Sequence, residues 1–520
     1  MKVESWFTVC CLRFSYNIVL MNLLSFLIKH SPKGGIGGGL CFFLALSVQA
    51  QNTAPEPIGP LPLPKQVEWQ KMETYAFVHY GLNTFNDSEW GYGDADPKVF
   101  NPSRMDVEQW VRTFKQAGMK GVIIVAKHHD GFAMWASPLT DYNITHSSYN
   151  GPKNKDGKVD VLAELRKACD KYGLKMGVYL SPWDRNHAEY GRQAYVDYYH
   201  QQLTQLVTEY GPLFEVWLDG ANGGDGYYGG AKEKRKIDRR NYYNFPKIHS
   251  IILEHQPKAI IFSDGGPGCR WVGNERGEAG ATNWSFLRQK EVYPGYNKSK
   301  ELTTGHPDGD TWIAAECDVS IRPGWFYHPE EDSKVKTPEQ LADLYYKSVG
   351  HNATLLLNFP VDREGRVNAI DSANAVAFHQ MIMQDLKTDL LRKAKASASS
   401  TRGKKFAAKN LNDGNWDTYW ATPDGEHTGI VTFTFKQPTK VNRLLLQEYI
   451  PLGQRVKAFQ VEALVGNKWQ MVDAGEPTTT IGYKRILRFP TIEATALRIS
   501  VTDARGPLCL NNISAYFANR

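Results

Sequence analysis

Short apolar runs and amphipathic runs alternate along the chain from residue 74 to about residue 359. The apolar runs are typical of buried strands, and between several of them apolar residues recur at helical spacing. Buried strands joined by helices predict an α/β fold, either an irregular (β/α) TIM-like barrel or a doubly wound sheet, with a long loop at 265–310. The predicted strands are 75–80, 121–126, 175–180, 214–218, 259–262, 312–315 and 354–357, and the predicted helices are 106–117, 161–172, 194–210, 242–255 and 338–349.

The pattern changes after about residue 395. A small polar linker at 396–401 is followed by runs in which apolar and polar residues alternate, for example 431–435 and 497–501. This alternation, punctuated by turn signals, predicts an all-β sandwich of roughly 120 residues. We therefore expect a leader at 1–50, a barrel domain at 51–395 and a β-sandwich domain at 396–520.

The first 50 residues have the composition of an export signal. An apolar core at 40–48 is too short to span a membrane as a stable helix, and it ends in the small-residue pattern Val48-Gln49-Ala50. We expect cleavage near Gln51 and a periplasmic or extracellular protein without a membrane span. Met21 is an alternative start, because the basic stretch before the apolar core is unusually long.

Charge and cysteine content exclude two classes of function. The net charge is +6, part of which lies in the leader, and the one basic cluster at 232–240 is interrupted by acidic residues. No nucleic-acid partner is therefore expected. The cysteines beyond the leader are widely scattered and show no CxxC or metal-ligand spacing; they are Cys169, Cys269, Cys317 and Cys509.

Ionisable side chains stand where the predicted strands end. The run 213–218 stops at Asp219, and the C-terminal ends of barrel strands are where such folds keep their chemistry. A single His or Asp there is more often a capping or hydrogen-bonded core residue, but a whole rim of them indicates a site. The strand-end residues are His79, His128, His129, Tyr179, Asp219, Asp264, Glu316 and Asp318.

Acid–base chemistry at this rim would need a second carboxyl group, and the loop 270–278 offers Glu275 and Glu278. Trp271 and Trp284 flank the loop, and an apolar ring beside a carboxyl group raises its pKa toward the value that a general acid needs. The alternative for both residues is an exposed, solvated carboxylate.

The remaining polar residues suit a monosaccharide better than a phosphate, because no GxGxxG or P-loop is present. A metal cluster of His128, His129 and Asp130 with Asp219 and Asp264 is a competing interpretation. It is disfavoured because adjacent residues on an extended chain point to opposite sides and no HxH or HExxH occurs. The candidate ligand-binding residues are His79, Glu89, His128, His129 and Tyr179, with Trp135 as a stacking face.

Six segments resemble the α-L-fucosidases of glycoside hydrolase family 29. They are FVHYGLNTF at 77–85, EWG at 89–91, AKHHDGF at 126–132, MW at 134–135, GVYLSPW at 177–183 and VWLDG at 216–220. The resemblance implies a (β/α) barrel and a retaining exo-glycosidase that needs no cofactor or metal for catalysis. It implies that Asp219 is the nucleophile, and that fucose is held by His79, Glu89, His128, His129, Trp135 and Tyr179.

Two further segments, RWVGNE at 270–275 and DVSIRPGWF at 318–326, resemble the branch of this family that cleaves α-1,3/1,4-fucosyl linkages in Lewis-type glycans. This resemblance implies that Glu275 is the acid/base and that Trp325 contacts substrate. An apparent insertion around 223–240 lengthens the connection from Asp219, so Glu278 remains a reserve candidate.

The segment NLNDGNWDTYW at 410–420 resembles the opening of discoidin-like (factor 5/8 type C) modules. In such modules this turn often binds a structural Ca²⁺, and many of the modules bind carbohydrate. A structural role is favoured here, because the sequence identifies no aromatic residue on a binding face.

The expected partner is a fucosylated oligosaccharide or glycoconjugate, and the oligomeric state is open. Two alternatives remain: a related exo-glycosidase such as a galactosidase, and a glycan-binding protein with an inactive barrel.

Overall fold

The computed structural model describes residues 53–519, so the predicted leader lies outside the described residues. The strands are β1 Thr74–Val78, β2 Gly121–Lys127, β3 Lys175–Leu180, β4 Leu213–Trp217, β5 Gly224–Gly226, β6 Glu233–Arg235, β7 Ile260–Ser263, β8 Cys269–Trp271, β9 Phe286–Leu287, β10 Thr311–Trp312, β11 Ala314–Ser320, β12 Ala353–Asn358, β13 Lys395–Ala398, β14 Trp420–Ala421, β15 Gly429–Glu448, β16 Val456–Val465, β17 Lys468–Met471, β18 Arg485–Ala504 and β19 Cys509–Tyr516. The α-helices are α1 Pro64–Gln70, α2 Leu82–Asn86, α3 Val107–Gln116, α4 Val161–Tyr172, α5 Gln193–Glu209, α6 Phe245–His255, α7 Ser299–Thr304, α8 Pro338–Ser348 and α9 Ala369–Asp385.

Eight parallel strands close into a barrel in the order β1-β12-β11-β8-β7-β4-β3-β2, which confirms the predicted fold class. Asp106 caps α3 by accepting from Gln109 N at 2.8 Å, and Asp160 caps α4 by accepting from Ala163 N at 2.9 Å. These caps satisfy orphan N–H groups and fix where each helix begins after its loop.

The prediction of a long loop at 265–310 was wrong. This segment contains β8, which closes the barrel between β7 and β11, and also β9 and α7. β8 is only three residues long and carries Arg270, which is fully buried and donates to Leu302 O at 2.9 Å and Asn283 Oδ1 at 2.8 Å. An arginine in so short a run hides the apolar pattern by which strands are recognised.

The predicted strand 312–315 is also corrected. Residues 311–312 form β10, which pairs with β9 outside the barrel, and the barrel strand β11 runs from Ala314 to Ser320. Glu316 and Asp318 therefore lie within a strand rather than beyond its end. Carboxyl groups at alternate positions disguise β11, although all seven of its residues are buried.

The C-terminal strands β13–β19 form one antiparallel sheet system, with β15 and β18 at its centre. Both strands are 20 residues long, and register shifts at residues 434/439 and 441/443 of β15 interrupt their pairing. Such bulges bend a strand, so the sheet encloses an apolar core of its own. The prediction of an all-β C-terminal domain is confirmed.

The antiparallel domain packs directly on the barrel. Glu73, just before β1, accepts from Tyr345 Oη of α8 at 2.9 Å, from Tyr483 Oη at 2.8 Å and from Lys484 Nζ. Residues 54–520 form one compact unit, and the boundary at 395/396 stays a prediction. Within residues 53–519, no helix combines the length and hydropathy needed to cross a membrane.

Candidate active site

Strand β4 presents three polar or aromatic side chains to the barrel interior in successive layers. Glu215, Trp217 and Asp219 are spaced by two residues, and successive side chains of a strand point to opposite faces. β4 ends at Trp217, which places Asp219 two residues beyond the strand, at the C-terminal mouth of the barrel. The barrel therefore carries the predicted nucleophile where side chains from neighbouring strands converge.

Asp219 is held firmly but remains open. Tyr179 Oη donates to its Oδ2 at 2.8 Å, and the backbone N–H of Ala221 donates to its Oδ1 at 2.7 Å. Its side chain is 23% exposed, whereas the neighbouring His129 side chain is 3% exposed, with Nε2 3.9 Å from Asp219 Oδ2. A carboxylate fixed by two donors and open on one side is suited to react with a bound ligand.

Three histidines surround the mouth beside Asp219. His79 Nδ1–H donates to Asn358 Oδ1 at 2.8 Å, and His129 Nδ1–H donates at 2.7 Å to Ser181 Oγ, whose own proton goes to Trp183 O. Burial lowers the pKa of His79 to about 3 and also lowers the pKa of His128 and of His129. These rings are therefore neutral at neutral pH, and in His79 and His129 the unprotonated Nε2 is a potential hydrogen-bond acceptor.

The expectation that His128 and His129 point to opposite sides was wrong. Their ring centroids lie 4.1 Å apart, because β2 ends at Lys127 and both residues lie in the following loop. Among residues 53–519, two groups have the ligand spacing for a metal ion, namely Asp87/His328/Glu330 and Glu215/Cys269/Glu316. The predicted alternative of His128, His129 and Asp130 is not one of them.

Glu89 and Trp325 meet although 236 residues separate them. The carboxylate of Glu89 accepts from Trp325 N at 2.9 Å and from Phe326 N at 3.0 Å. His328 also donates, from Nε2 to Glu89 at 2.7 Å and from Nδ1 to Asp87 at 2.8 Å. Partial burial opposes the charge of His328, but these two carboxylates raise its pKa. The 325–328 loop is thus fixed to the 87–89 loop.

Glu275 lies beside Trp325. Trp325 Nε1 donates to its Oε2 at 3.2 Å, and the ring of Trp325 lies 5.1 Å from that of His79. Partial desolvation raises the pKa of Glu275, and the charges of Asp219 and Glu89 raise it further, while the Trp325 hydrogen bond opposes the shift. A carboxyl group in these surroundings retains its proton to a higher pH than one remote from other charges.

Glu278 is directed elsewhere. Its carboxylate accepts from Lys347 Nζ of α8 at 2.9 Å and lies 3.7 Å from Arg276 Nε. The two candidates therefore separate: Glu275 lies with Trp325 and the mouth residues, and Glu278 lies in a partly exposed ion pair.

Trp135 is not part of the cluster. It is fully buried in the apolar core, and its Nε1 donates to Gln205 Oε1 at 2.9 Å on α5. A ring enclosed in this way offers no face to a sugar, in contrast with its predicted stacking role.

Both domains of the chain are similar to known protein families. Residues 57–379 match the protein family described as alpha-L-fucosidase, and residues 395–514 match the F5/8 type C domain. The chain belongs to the α-L-fucosidase family. It is 39% identical to "Alpha-L-fucosidase 1" of Arabidopsis thaliana over 489 residues, which cover 91% of this chain and 92% of that protein.

Solved structures extend the match. A glycoside hydrolase 29 family member from an unknown rumen bacterium is 45% identical, with a TM-score of 0.79, covering 89% of this chain and 78% of that one. The Ruminococcus gnavus GH29 fucosidase E1_10125 in complex with fucose is 33% identical, with a TM-score of 0.80, covering 91% of this chain and 98% of that one. The resemblances of both domains are thereby confirmed.

In this α-L-fucosidase family member, Trp90 is an exposed aromatic residue beside the mouth, and the sequence predicted no role for it. Its side chain is 55% exposed, and its ring stands edge-on to His129 at 5.3 Å and to Trp183 at 5.7 Å. Arg185 Nη1 holds the loop by donating to Trp90 O at 3.0 Å and Gly91 O at 2.8 Å. Trp90 belongs to the EWG segment at 89–91, but a sequence motif does not show whether its tryptophan is exposed or buried.

The apparent insertion around 223–240 forms a hairpin near Trp90 and Trp183. β5 and β6 pair antiparallel, and Arg185 Nε donates to Asp225 O at 2.8 Å. Gly224 has a φ of 144° and lies so close to the Trp183 ring that a Cβ there would stand 3.0 Å from it. The hairpin therefore packs against Trp183, whose ring lies beside that of Trp90.

Proposed function

We propose that this α-L-fucosidase is a retaining exo-enzyme that removes terminal α-1,3/1,4-linked fucose from Lewis-type glycans by double displacement. The observation that carries the proposal is the pairing of an open, doubly hydrogen-bonded Asp219 with a second carboxyl group, Glu275, whose pKa is raised partly by the charge of Asp219. Retaining glycosidases use two such carboxyl groups about 5–5.5 Å apart.

The first step forms a covalent intermediate. Asp219 Oδ attacks the anomeric carbon of fucose, and the bond from that carbon to the leaving oxygen breaks. Glu275 gives its proton to that oxygen, so the rest of the glycan departs as an alcohol. The surroundings of Glu275 favour the protonated form that this step requires.

The second step returns the enzyme to its starting state. Glu275, now a carboxylate, takes a proton from water while the water oxygen attacks the anomeric carbon and the ester bond to Asp219 breaks. Two inversions give net retention at the anomeric carbon. Tyr179 holds the departing Asp219 carboxylate through the 2.8 Å hydrogen bond to Oδ2.

Fucose binding is assigned to the groups around the mouth. His79, His128 and His129 are neutral and suited to hydroxyl groups, and Glu89 adds a charged acceptor. Trp325 connects the sugar-binding carboxylate to the acid/base, since its backbone N–H bonds Glu89 and its Nε1 bonds Glu275. Trp135 is left out of this assignment because it is buried.

Azide rescue tests the two roles. Glu275→Ala should hydrolyse an activated aryl fucoside slowly, and azide should accelerate it and yield the α-fucosyl azide, because azide attacks the covalent intermediate. Asp219→Ala with azide should yield the β-fucosyl azide by a single inversion. Glu278→Ala is the matched control and should need no rescue. Rescue of Glu278→Ala instead of Glu275→Ala, or wild-type turnover by Asp219→Ala, would refute the assignment.

The linkage preference is tested with free oligosaccharides. The segments 270–275 and 318–326 support α-1,3/1,4 cleavage, so Lewis-type trisaccharides should be hydrolysed at least about tenfold faster than 2′-fucosyllactose, a difference of about 1.4 kcal/mol in activation free energy. Equal rates would contradict the linkage assignment. Faster hydrolysis of aryl galactosides than of aryl fucosides would favour a related exo-glycosidase such as a galactosidase. Binding of glycans without release of any product would favour a glycan-binding protein with an inactive barrel.

The C-terminal domain is assigned a bracing role, with a structural Ca²⁺ in its 413–418 turn. The turn is tight, with φ of 68° at Gly414, and Asp413 accepts from Asn415 N at 2.8 Å and Thr418 Oγ1 at 2.7 Å. Chelation by EDTA should lower the melting temperature, and an unchanged value would remove the ion from the proposal.

Residues 1–50 are proposed as an export leader cleaved near Gln51, which N-terminal sequencing of exported protein tests.

A further inference from the structure

Two carboxyl groups lie side by side inside the barrel, below the active-site residues. Glu215 of β4 and Glu316 of β11 are both fully buried, and a carboxyl oxygen of one lies within 4.8 Å of a carboxyl oxygen of the other. Two carboxylates this close in the interior do not both ionise, so the pair holds one proton. The mechanism above uses neither residue, although both lie on strands that carry mouth residues.

The hydrogen-bond partners identify which member is ionised. Glu316 accepts on Oε1 from Trp217 Nε1 at 2.8 Å and on Oε2 from Tyr75 Oη. Glu215 accepts from the Trp69 indole on Oε2 at 2.9 Å and, on Oε1, from the Cys269 thiol at 3.8 Å, which is a weak donor. Burial, together with the charge of Glu316, raises the pKa of Glu215 well above its ordinary range. Burial raises the pKa of Glu316 as well, but Glu316 has an indole and a phenol as donors where Glu215 has an indole and a thiol, so the shared proton is assigned to Glu215 and the charge to Glu316.

Trp217 connects this carboxylate to Asp219. Its indole ring lies against Phe262 with centroids 3.9 Å apart and stacks on Tyr179 at 5.2 Å. Tyr179 in turn donates to Asp219 Oδ2 at 2.8 Å. The indole can tilt only if it loses its hydrogen bond to Glu316, and a buried N–H left without a partner is costly.

We propose that Glu316 is a positioning residue for the fucosidase reaction, which fixes the Trp217 indole and through it the orientation of Tyr179 and Asp219. Glu215 serves the same end by supplying the proton that lets Glu316 stay charged in the barrel interior. The inference rests on the proposed function only in taking Asp219 as the reacting carboxylate.

The two carboxyl groups should respond differently to the same isosteric change. Glu215→Gln keeps one donor toward Glu316 and one acceptor for Trp69, so kcat/KM should stay within about threefold of wild type. Glu316→Gln leaves one acceptor oxygen, and a neutral amide oxygen holds the Trp217 N–H more weakly than a carboxylate does. We expect kcat on an aryl fucoside to fall about 10- to 100-fold with little change in KM, as expected for a displaced reacting group.

A double-mutant comparison separates an effect that passes through Trp217 from a general loss of folded structure. In a Trp217→Phe background, which lacks the indole N–H, Glu316→Gln should lower kcat by less than about threefold. Glu448→Gln is the matched control for loss of a buried carboxyl group: Glu448 is fully buried in the C-terminal domain and accepts from Arg455, Val456 and Gly482 N–H groups. This variant should retain wild-type kcat per folded molecule.

Two results would overturn the proposal: wild-type kcat in Glu316→Gln, or a full loss that persists in the Trp217→Phe background. If Glu316→Gln does not fold, ¹⁵N-indole spectra of the wild-type enzyme decide, with Trp217 assigned from Trp217→Phe. Its Nε1–H should exchange slowly and keep its shift from pH 5 to 9, and rapid exchange or titration there would refute the proposal. The proposed function fails separately, through Asp219→Ala turnover.

Discussion

Side chains of the same type take opposite roles in this barrel because their surroundings differ. Glu275 lies near the charges of Asp219 and Glu89 and favours its proton, whereas Glu278 is paired with Lys347. Trp325 acts against the proton on Glu275, since its Nε1–H stabilises the charged carboxylate. Chemistry at the residue scale is thus set by neighbours that come from distant parts of the chain.

Trp325→Phe should move the alkaline limb of the kcat/KM profile to higher pH. Glu275 acts as an acid only when protonated, so activity falls as pH rises through its pKa. Removing the donor destabilises the charged form and raises that pKa. Trp135→Phe, which removes a fully buried indole N–H remote from the mouth, is the control and should leave the limb unmoved. A shift of the Trp325→Phe limb to lower pH would contradict the assigned role of the hydrogen bond.

At the scale of elements, the long apolar strands were predictable, whereas the short strand β8 and the carboxyl-bearing strand β11 were not. Asp219 follows the apolar run 213–218, and the strand β4 ends at nearly the same point, at Trp217. In contrast, β8 is too short to show a period, and the alternating carboxyl groups of β11 resemble a loop. Which tryptophan is exposed depends on tertiary packing, and this is why Trp135 was expected in the site and Trp90 was not.

Lys127, at the end of β2, supports the loop that carries His128 and His129. It is fully buried, and its Nζ lies 3.0 Å from Asp184 Oδ2 and donates to Gln202 Oε1 at 3.0 Å. Lys127→Met should cost about 3–5 kcal/mol in the free energy of unfolding, because it leaves a buried carboxylate without its cation.

Urea denaturation measures this cost, and Lys127→Met/Asp184→Asn should recover part of it. A loss below about 1 kcal/mol would show that the pair is replaceable. Lys171→Met is the matched control, since Lys171 forms an exposed pair with Glu108.

At the scale of the whole molecule, the antiparallel domain contacts the barrel just before β1 and in the segment between β8 and β9. Lys484, whose side chain is 11% exposed, pairs with Glu73 directly before β1, and Asn283 N donates to Thr480 Oγ1 at 2.8 Å. The two domains were predictable from the change in periodicity near residue 395. Their union into one compact unit was not, because contacts between residues 410 positions apart leave no local pattern.

Glu73→Gln should destabilise both domains together. The change removes the charge that compensates a largely buried Lys484, so we expect a loss of about 2–4 kcal/mol within a single unfolding transition. Calorimetry of the wild type and the variant checks this. Two separate transitions in the wild-type protein would contradict a cooperative molecule, and Lys457→Gln, in an exposed pair with Asp503, is the control.

The central step of the proposed reaction is the formation of a covalent bond between Asp219 and fucose. The most direct measurement is to inactivate the enzyme with a 2-deoxy-2-fluoro-fucosyl fluoride, digest it and sequence the labelled peptide by mass spectrometry. We predict one equivalent of label, located on Asp219. Label on Glu275 or Asp264, or turnover of the reagent with inverted product and no trapped intermediate, would contradict the account.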